Sequence, residues 1–395
     1  MIYINALGLV NGLGMDNARI AHALKYGQSG LVRDECVLLD HSPTYLGKIT
    51  GTLPTIATEL MQHNSRNNQL TLAALMQIDT AVAALLAQYS TDRIGIIMGT
   101  STSGIAEGER ALAHHLATGE YDPDFHYQQQ LFSDPSDFLA AHLGITGPCY
   151  TVSTACSSSA KAISSGAALI EAGMIDAAIV GGTDSLCQLS VNGFHALGAL
   201  SMTRCTPLSQ NRSGINIGEA SGLMILSKTA APLALLGYGH SSDAHHISAP
   251  HPEGQGAQVA MARALAHANL SPSEIGYINL HGTGTSLNDS AEAKAVHAIF
   301  NDQVPCSSTK HLTGHTLGAA GITELGLSAL ILQHNLPLPI QAFSPEHPRD
   351  DALMPINVVT TPQMITTPII LSNSFAFGGN NTSLIIGKTA HVSSH

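Results

Sequence analysis

Apolar residues fall along this chain in short unbroken runs set between longer mixed stretches. Ile94-Gly95-Ile96-Ile97-Met98, Ala177-Ala178-Ile179-Val180, Gly222-Leu223-Met224-Ile225-Leu226, Tyr277-Ile278-Asn279-Leu280 and Ile369-Ile370-Leu371 are such runs, and Met1-Ile2-Tyr3-Ile4 opens the chain in the same way. Strands buried on both faces carry that signature, whereas a strand with one wet face alternates. Between them, residues 67 to 87 and 257 to 269 read as helices, as do an Ala-rich pattern through residue 172 and an apolar one through about Gln333. Strand and helix alternating in this way predict α/β layers. A break at Thr229-Ala230-Ala231-Pro232 separates a first half, 1–235, from a second, 236–395, with no obvious sequence repetition between them.

Candidate chemistry sits where strand-like runs end. Cys156 lies in Val152-Ser153-Thr154-Ala155-Cys156-Ser157-Ser158-Ser159-Ala160, where a strand gives way to a helix. Free N–H groups and the positive end of the helix dipole at such a position favour thiolate, the reactive form of cysteine. A buried structural cysteine is the alternative reading of the same residue. Two histidine loops share one grammar. Tyr277-Ile278-Asn279-Leu280 runs into His281-Gly282-Thr283-Gly284-Thr285, followed by Asp289 and Glu292, and Val304-Pro305-Cys306-Ser307-Ser308 runs into Thr309-Lys310-His311-Leu312-Thr313-Gly314-His315. Glycines there let a substrate approach the backbone, and hydroxyls can bond an amide-rich ligand. The four-residue spacing of His311 and His315 suggests metal, yet no zinc-helix glutamate lies between them and no third ligand is evident, so no metal is expected.

Length and charge narrow the picture. At 395 residues, with 44% hydrophobic residues and 37 glycines, the chain can build a large, closely packed core around a buried site. No apolar run approaches the roughly 18 to 20 residues of a membrane span, so neither membrane insertion nor export is expected. Six cysteines without CxxC spacing argue for a reducing compartment, by default the cytoplasm. A formal charge of -12 argues against nucleic acid as a partner.

Four blocks in order, Thr154-Ala155-Cys156-Ser157-Ser158, His281-Gly282-Thr283-Gly284-Thr285 with Asp289, Ser308-Thr309-Lys310 through His315, and Asn373-Ser374-Phe375-Ala376-Phe377-Gly378-Gly379, make the chain resemble the β-ketoacyl-acyl-carrier-protein synthases of the elongating Cys-His-His type. Further similarity covers Arg212-Ser213-Gly214, Gly218 to Gly222, Asp243-Ala244-His245-His246 and Pro250 to Gly254. The resemblance implies a duplicated thiolase-like fold, layered α-β-α-β-α with two central mixed sheets. It implies decarboxylative condensation of malonyl-carrier with an acyl group held on Cys156, lengthening the chain by two carbons. Cys156, His281, His315 and Lys310 become the catalytic set, with Glu324 as the partner of Lys310 and the N–H groups of Cys156 and Phe377 as oxyanion donors. Thr283 and Thr285 are implied to bind the pantetheine arm, Phe375, Gly378 and Gly379 to border the substrate, and the Phe377 ring to gate it. No cofactor is implied beyond the phosphopantetheine arm of acyl carrier protein, which is the expected partner together with a second subunit.

Some positions depart from the family. Ala376 stands where glycine is common, Asn380 where threonine is common, and Thr102 where a bulkier apolar residue usually shapes the chain pocket. These departures predict a specialised polyene or polyketide pathway instead of housekeeping fatty acid synthesis. Arg66 and Arg204 are candidates for carrier docking, since the segment usually supplying basic residues reads Glu120-Tyr121-Asp122-Pro123-Asp124. A thiolase is disfavoured because no cysteine lies between Phe375 and Asn381, and a chalcone-like enzyme because His315 stands where asparagine would. A chain-length subunit typically lacks the nucleophile, which this chain has. Homodimer and heterodimer with such a subunit remain equally open.

Overall fold

The structure is a computed structural model that describes residues 1–391. Ten strands form its main sheet: β1 (Ile2–Asn11), β2 (Ile94–Gly99), β3 (Cys149–Val152), β4 (Ala177–Asp184) and β5 (Ala220–Ser227) from the first half, then β6 (Leu233–Ser242), β7 (Tyr277–Asn279), β8 (Cys306–Ser307), β9 (Ile369–Phe375) and β10 (Asn380–Lys388). The spatial order is β1-β5-β4-β2-β3 in the first half and β6-β10-β9-β7-β8 in the second. Each strand of one half has its counterpart five places on. The pairings repeat too: antiparallel β1/β5 and β5/β4 with parallel β4/β2 and β2/β3, against antiparallel β6/β10 and β10/β9 with parallel β9/β7 and β7/β8. The duplication is a property of backbone topology.

The two half-sheets are continuous with each other, because Ile2, Tyr3 and Ile4 pair antiparallel with Leu235, Ala234 and Leu233. Two helices that follow equivalent strands, α1 (Ser158–Glu171) after β3 and α2 (Ala320–His334) after β8, pack against each other and against strands of both halves. Every residue of α2 from Ala320 to Leu332 is buried, as a helix apolar on all sides must be. At their contact Gly321 is obligatory, since a Cβ there would lie 2.6 Å from the Ala160 nitrogen. Arg66–Met76 and Asp134–Leu143 cover the outer face of the first half-sheet, and Gln255–Ala268 covers that of the second. Helix, half-sheet, central helices, half-sheet, helix make up the α-β-α-β-α layering, with one apolar core in the middle and a separate one under each outer layer.

The helix expected over 67 to 87 is two, Arg66–Met76 and Asp79–Gln88, bent by 77° at their junction. Among the described residues no single helix is long and apolar enough to cross a membrane. All six cysteines are free.

Candidate active site

Cys156 occupies the corner between β3 and α1, two residues before the helix begins. The corner is tight: Ala155 takes φ 51°, a left-handed conformation that costs a residue with a Cβ about 1–3 kcal/mol. Hydroxyls pin it, Ser158 donating to the Ala155 carbonyl at 2.6 Å and Ser157 to that of Thr154 at 2.9 Å. The result aims the sulfur into a cavity of about 420 Å³ lined by Phe194, Ile215, His281, Thr283, His315 and Phe375, among others.

His281 follows β7, and its backbone is fixed by a buried carboxylate. Glu292 accepts the N–H groups of His281 at 2.8 Å and Gly282 at 2.7 Å, and Asn373 donates to it at 3.2 Å. Burial pushes the Glu292 carboxyl up to about 7 against those donors. His315 follows β8, with its N–H donated to the Asn216 carbonyl at 2.6 Å and its own carbonyl accepting Gly218 N–H at 2.9 Å. Neither Asn216 nor Glu292 has a role in the sequence reading, although Glu292 stands in the helix Ser286–Phe300 that follows the first histidine loop. The three groups meet: His315 Nε2 is 3.0 Å from Cys156 Sγ, the two imidazoles face each other edge to face at 5.3 Å between ring centroids, and ligating atoms of all three residues lie within 4.8 Å of one another.

Lys310 reaches the trio from behind. Its buried ammonium is paired with Glu324, donates to the His281 carbonyl at 2.5 Å and lies 3.4 Å from His281 Nδ1. An ammonium has only donors, so Nδ1 must accept and the ring proton sits on Nε2, as a donor. Both imidazoles titrate well below the ordinary histidine value, first because burial disfavours the cation and then because Lys310 repels it. Burial raises Glu324 to about 7, opposed by Lys310.

The thiolate expected at Cys156 is opposed by its surroundings. Burial pushes the thiol up to about 11, outweighing the opposite pull of Lys310 and of the N–H groups of Phe377 and Cys156 itself. The N–H groups of Phe377 and Cys156 thus act on the sulfur in the sense that stabilises an anion, the property an oxyanion donor needs.

The remaining expected residues divide. Thr283 and Thr285 border the cavity with their hydroxyls 2.9 Å apart, and Phe375 and Phe377 also border it, the Phe377 ring resting 5.7 Å from that of Phe194, a lining residue not anticipated from the sequence. Gly378 and Gly379 do not line the cavity. With φ of 78° and 75° they shape the loop, and Gly378 N–H is donated to the Ile247 carbonyl at 2.7 Å. Thr102 does not line it either: its hydroxyl and N–H both donate at 2.8 Å to buried Asp184, which turns the side chain away from substrate. Arg66 is not a free surface cation, because Glu219 binds its guanidinium in a two-point pair at 2.6 and 2.8 Å. His311 stands outside the ligating cluster, among the described residues, despite its spacing from His315.

Comparison with known proteins accords with this geometry. The descriptions "Beta-ketoacyl synthase, N-terminal domain" and "Beta-ketoacyl synthase, C-terminal domain" match residues 62–231 and 233–343. The Staphylococcus aureus 3-oxoacyl-[acyl-carrier-protein] synthase 2 is 30% identical over 98% of both chains. The mitochondrial 3-oxoacyl-[acyl-carrier-protein] synthase of Arabidopsis thaliana is 36% identical over 64% of this chain, a match spanning 59% of that relative. Among solved structures, the ketosynthase ApeO in complex with its chain length factor ApeC, from Xenorhabdus doucetiae, superposes with a TM-score of 0.96 at 51% identity, covering 98% of each chain.

Proposed function

The chain belongs to the β-ketoacyl synthase family, and on that premise we propose that Cys156 takes an acyl group from a carrier thioester while His281 and His315 hold the enolate that attacks it. The protein is an acyltransferase that forms a carbon–carbon bond in fatty acid or polyketide biosynthesis. The observation that carries the division of labour is the meeting of one sulfur and two imidazoles at a single cavity end.

Acylation begins with Sγ attacking the thioester carbonyl. A carbon–sulfur bond forms, the negative oxygen falls to the N–H groups of Cys156 and Phe377, the bond to the carrier's sulfur breaks, and the thiol proton ends on that sulfur. Malonyl thioester then loses carbon dioxide. The electron pair of the broken carbon–carbon bond becomes an enolate, whose oxygen accepts from the imidazoles. For His281 the donor is Nε2–H, fixed by Lys310 behind it. A neutral imidazole suits this work, since it donates without giving its proton away. The enolate carbon attacks the acyl carbonyl, Sγ leaves and takes up a proton, and a 3-oxoacyl chain two carbons longer remains on the carrier. No cofactor enters beyond the carrier's phosphopantetheine arm, which Thr283 and Thr285 bind in this reading, a role supported by their position at the cavity wall.

The finer reading is a polyene or polyketide pathway in the cytoplasm, with acyl carrier protein and a chain-length-factor-like subunit as partners. Likeness to ApeO, a ketosynthase solved with its chain length factor, supports the second subunit, and Ala376 and Asn380 support the pathway, the latter accepting a 2.8 Å hydrogen bond from Lys161 that ties the Phe377 loop to α1. Thr102, facing Asp184, lends it no support. A second subunit is favoured by exposed Leu112, Leu116, Tyr121, Tyr127 and Phe132 and by Tyr150 on β3, the outermost strand of the first half-sheet. The free cysteines fit a reducing compartment.

The test is incubation with malonyl-carrier and acyl-carrier, followed by intact mass. An acyl adduct on Cys156 and a product longer by two carbons are expected; an adduct elsewhere, or none, overturns the assignment. Faster use of polyunsaturated than saturated acyl carriers is the outcome that the finer reading requires.

A further inference from the structure

We propose that the cavity mouth receives the carrier protein on an apolar collar instead of a basic patch, an inference that rests on the condensing-enzyme reading above. A thioester tethered to a carrier reaches Cys156 only through the mouth, so the carrier must sit on the residues around it. Leu197 and Leu287, which border the cavity, are 64% and 62% exposed. Ile247 is 80% exposed next to Ser248, also a bordering residue, and its carbonyl holds the Phe377 loop through Gly378 N–H. Phe377, at 37%, also borders the cavity. Four apolar side chains in water around one opening form the kind of surface that a partner buries.

Cations do not offer an alternative at the same place. Arg212 is the one lysine or arginine bordering the cavity among the described residues, and its side chain is only 7% exposed, donating to Asp350 at 2.5 Å and lying 3.9 Å from Asp289. Arg66 is spent on Glu219. The 120 to 124 segment exposes Glu120, Asp122 and Asp124, and the whole chain carries a formal charge of -12. Arg204 is exposed, but it is stacked over Tyr45 and does not border the mouth. With an acidic chain around the mouth and no free cation bordering it, charge offers a carrier little attraction there, so contact at the rim supplies the affinity. The occupant is a carrier protein that presents apolar side chains beside the attachment point of its arm.

The experiment measures the Kd of holo-carrier for the assembled protein as salt is raised. Docking on a basic patch weakens with screening, whereas an apolar collar is expected to change by less than about threefold between roughly 0.05 and 0.5 M salt. Leu197→Asp and Leu287→Asp are each expected to weaken carrier binding by about tenfold or more, with Leu287→Ser as the milder substitute should the first variants misfold. Arg204→Glu should leave Kd within about twofold. A tenfold loss of affinity with salt, or with Arg204→Glu, overturns the collar. So does a collar variant that binds carrier normally while native mass shows its subunits apart, which would make the rim a subunit interface. The two readings fail separately: a wild-type chain that loads no acyl group from any carrier defeats the condensing reading, whereas one that condenses but docks through charge defeats only the collar.

Discussion

The two halves of the molecule share one topology and divide its chemistry unequally. In both, a corner between the outermost strand and a central helix carries a reactive group, Cys156 before α1 and His315 before α2. In both, the residue three places before the helix is left-handed without being glycine, Ala155 and Leu317, each at φ 51°. Their second loops differ. After β2, residues 100 to 102 close on buried Asp184, which accepts from the Thr100 and Thr102 hydroxyls and the N–H groups of Ser101 and Thr102. After β7, the matching loop opens His281 onto the cavity and hands its N–H groups to Glu292. Duplication thus supplied two equivalent corners, and side chains alone decided that one loop would be sealed and the other would face substrate.

If labour is divided in this way, damage to the halves should not look alike. Cys156→Ala should abolish the acyl adduct and lower condensation by about a thousandfold or more, leaving malonyl decarboxylation measurable as released carbon dioxide. His281→Ala or His315→Ala should lower condensation about 100- to 1,000-fold while acylation, followed by intact mass, falls far less. Equal loss of both steps would erase the contrast. The sulfur's environment gives a pH test: a thiol raised to about 11 gains thiolate as pH rises, so iodoacetamide alkylation of Cys156 should quicken about tenfold per unit from pH 7 to 10. A plateau below pH 8 would mean that the helix end prevails over burial. The smallest effect is expected at the wall, where Thr283→Val with Thr285→Val should raise KM for the carrier substrate by about three- to tenfold with kcat nearly unchanged.

Much of this was legible along the chain because the site is made of strand ends. Cys156, His281, Lys310 and His315 each stand in a short string next to an apolar run, and strings of that kind survive in one dimension. What resisted reading depends on distance or on close packing. β6, Leu233–Ser242, hides its strand character behind Gly237 and Gly239, which are required because a Cβ would come within 2.4 and 2.1 Å of the Ala264 and Ala260 carbonyl oxygens. Arg66 looked free because Glu219 lies 153 positions away, and Thr102 looked like a pocket wall because Asp184 lies 82 away. Burial of Cys156 likewise comes from all sides, and a helix-start pattern reports only one of them. The doubling of the fold, implied by the resemblance, left no repeat in the residues themselves because it is kept by pairing order.

The crossing of α1 and α2 at Gly321 and Ala160 has a consequence for exchange between relatives. Nucleophile and imidazole ride at the ends of two rods that touch at one joint with no space for a methyl group. A hybrid joining the first half of this protein to the second half of another would inherit both reactive corners intact and yet set them at the wrong gap, unless the donor's helix brought an equally small residue to that joint.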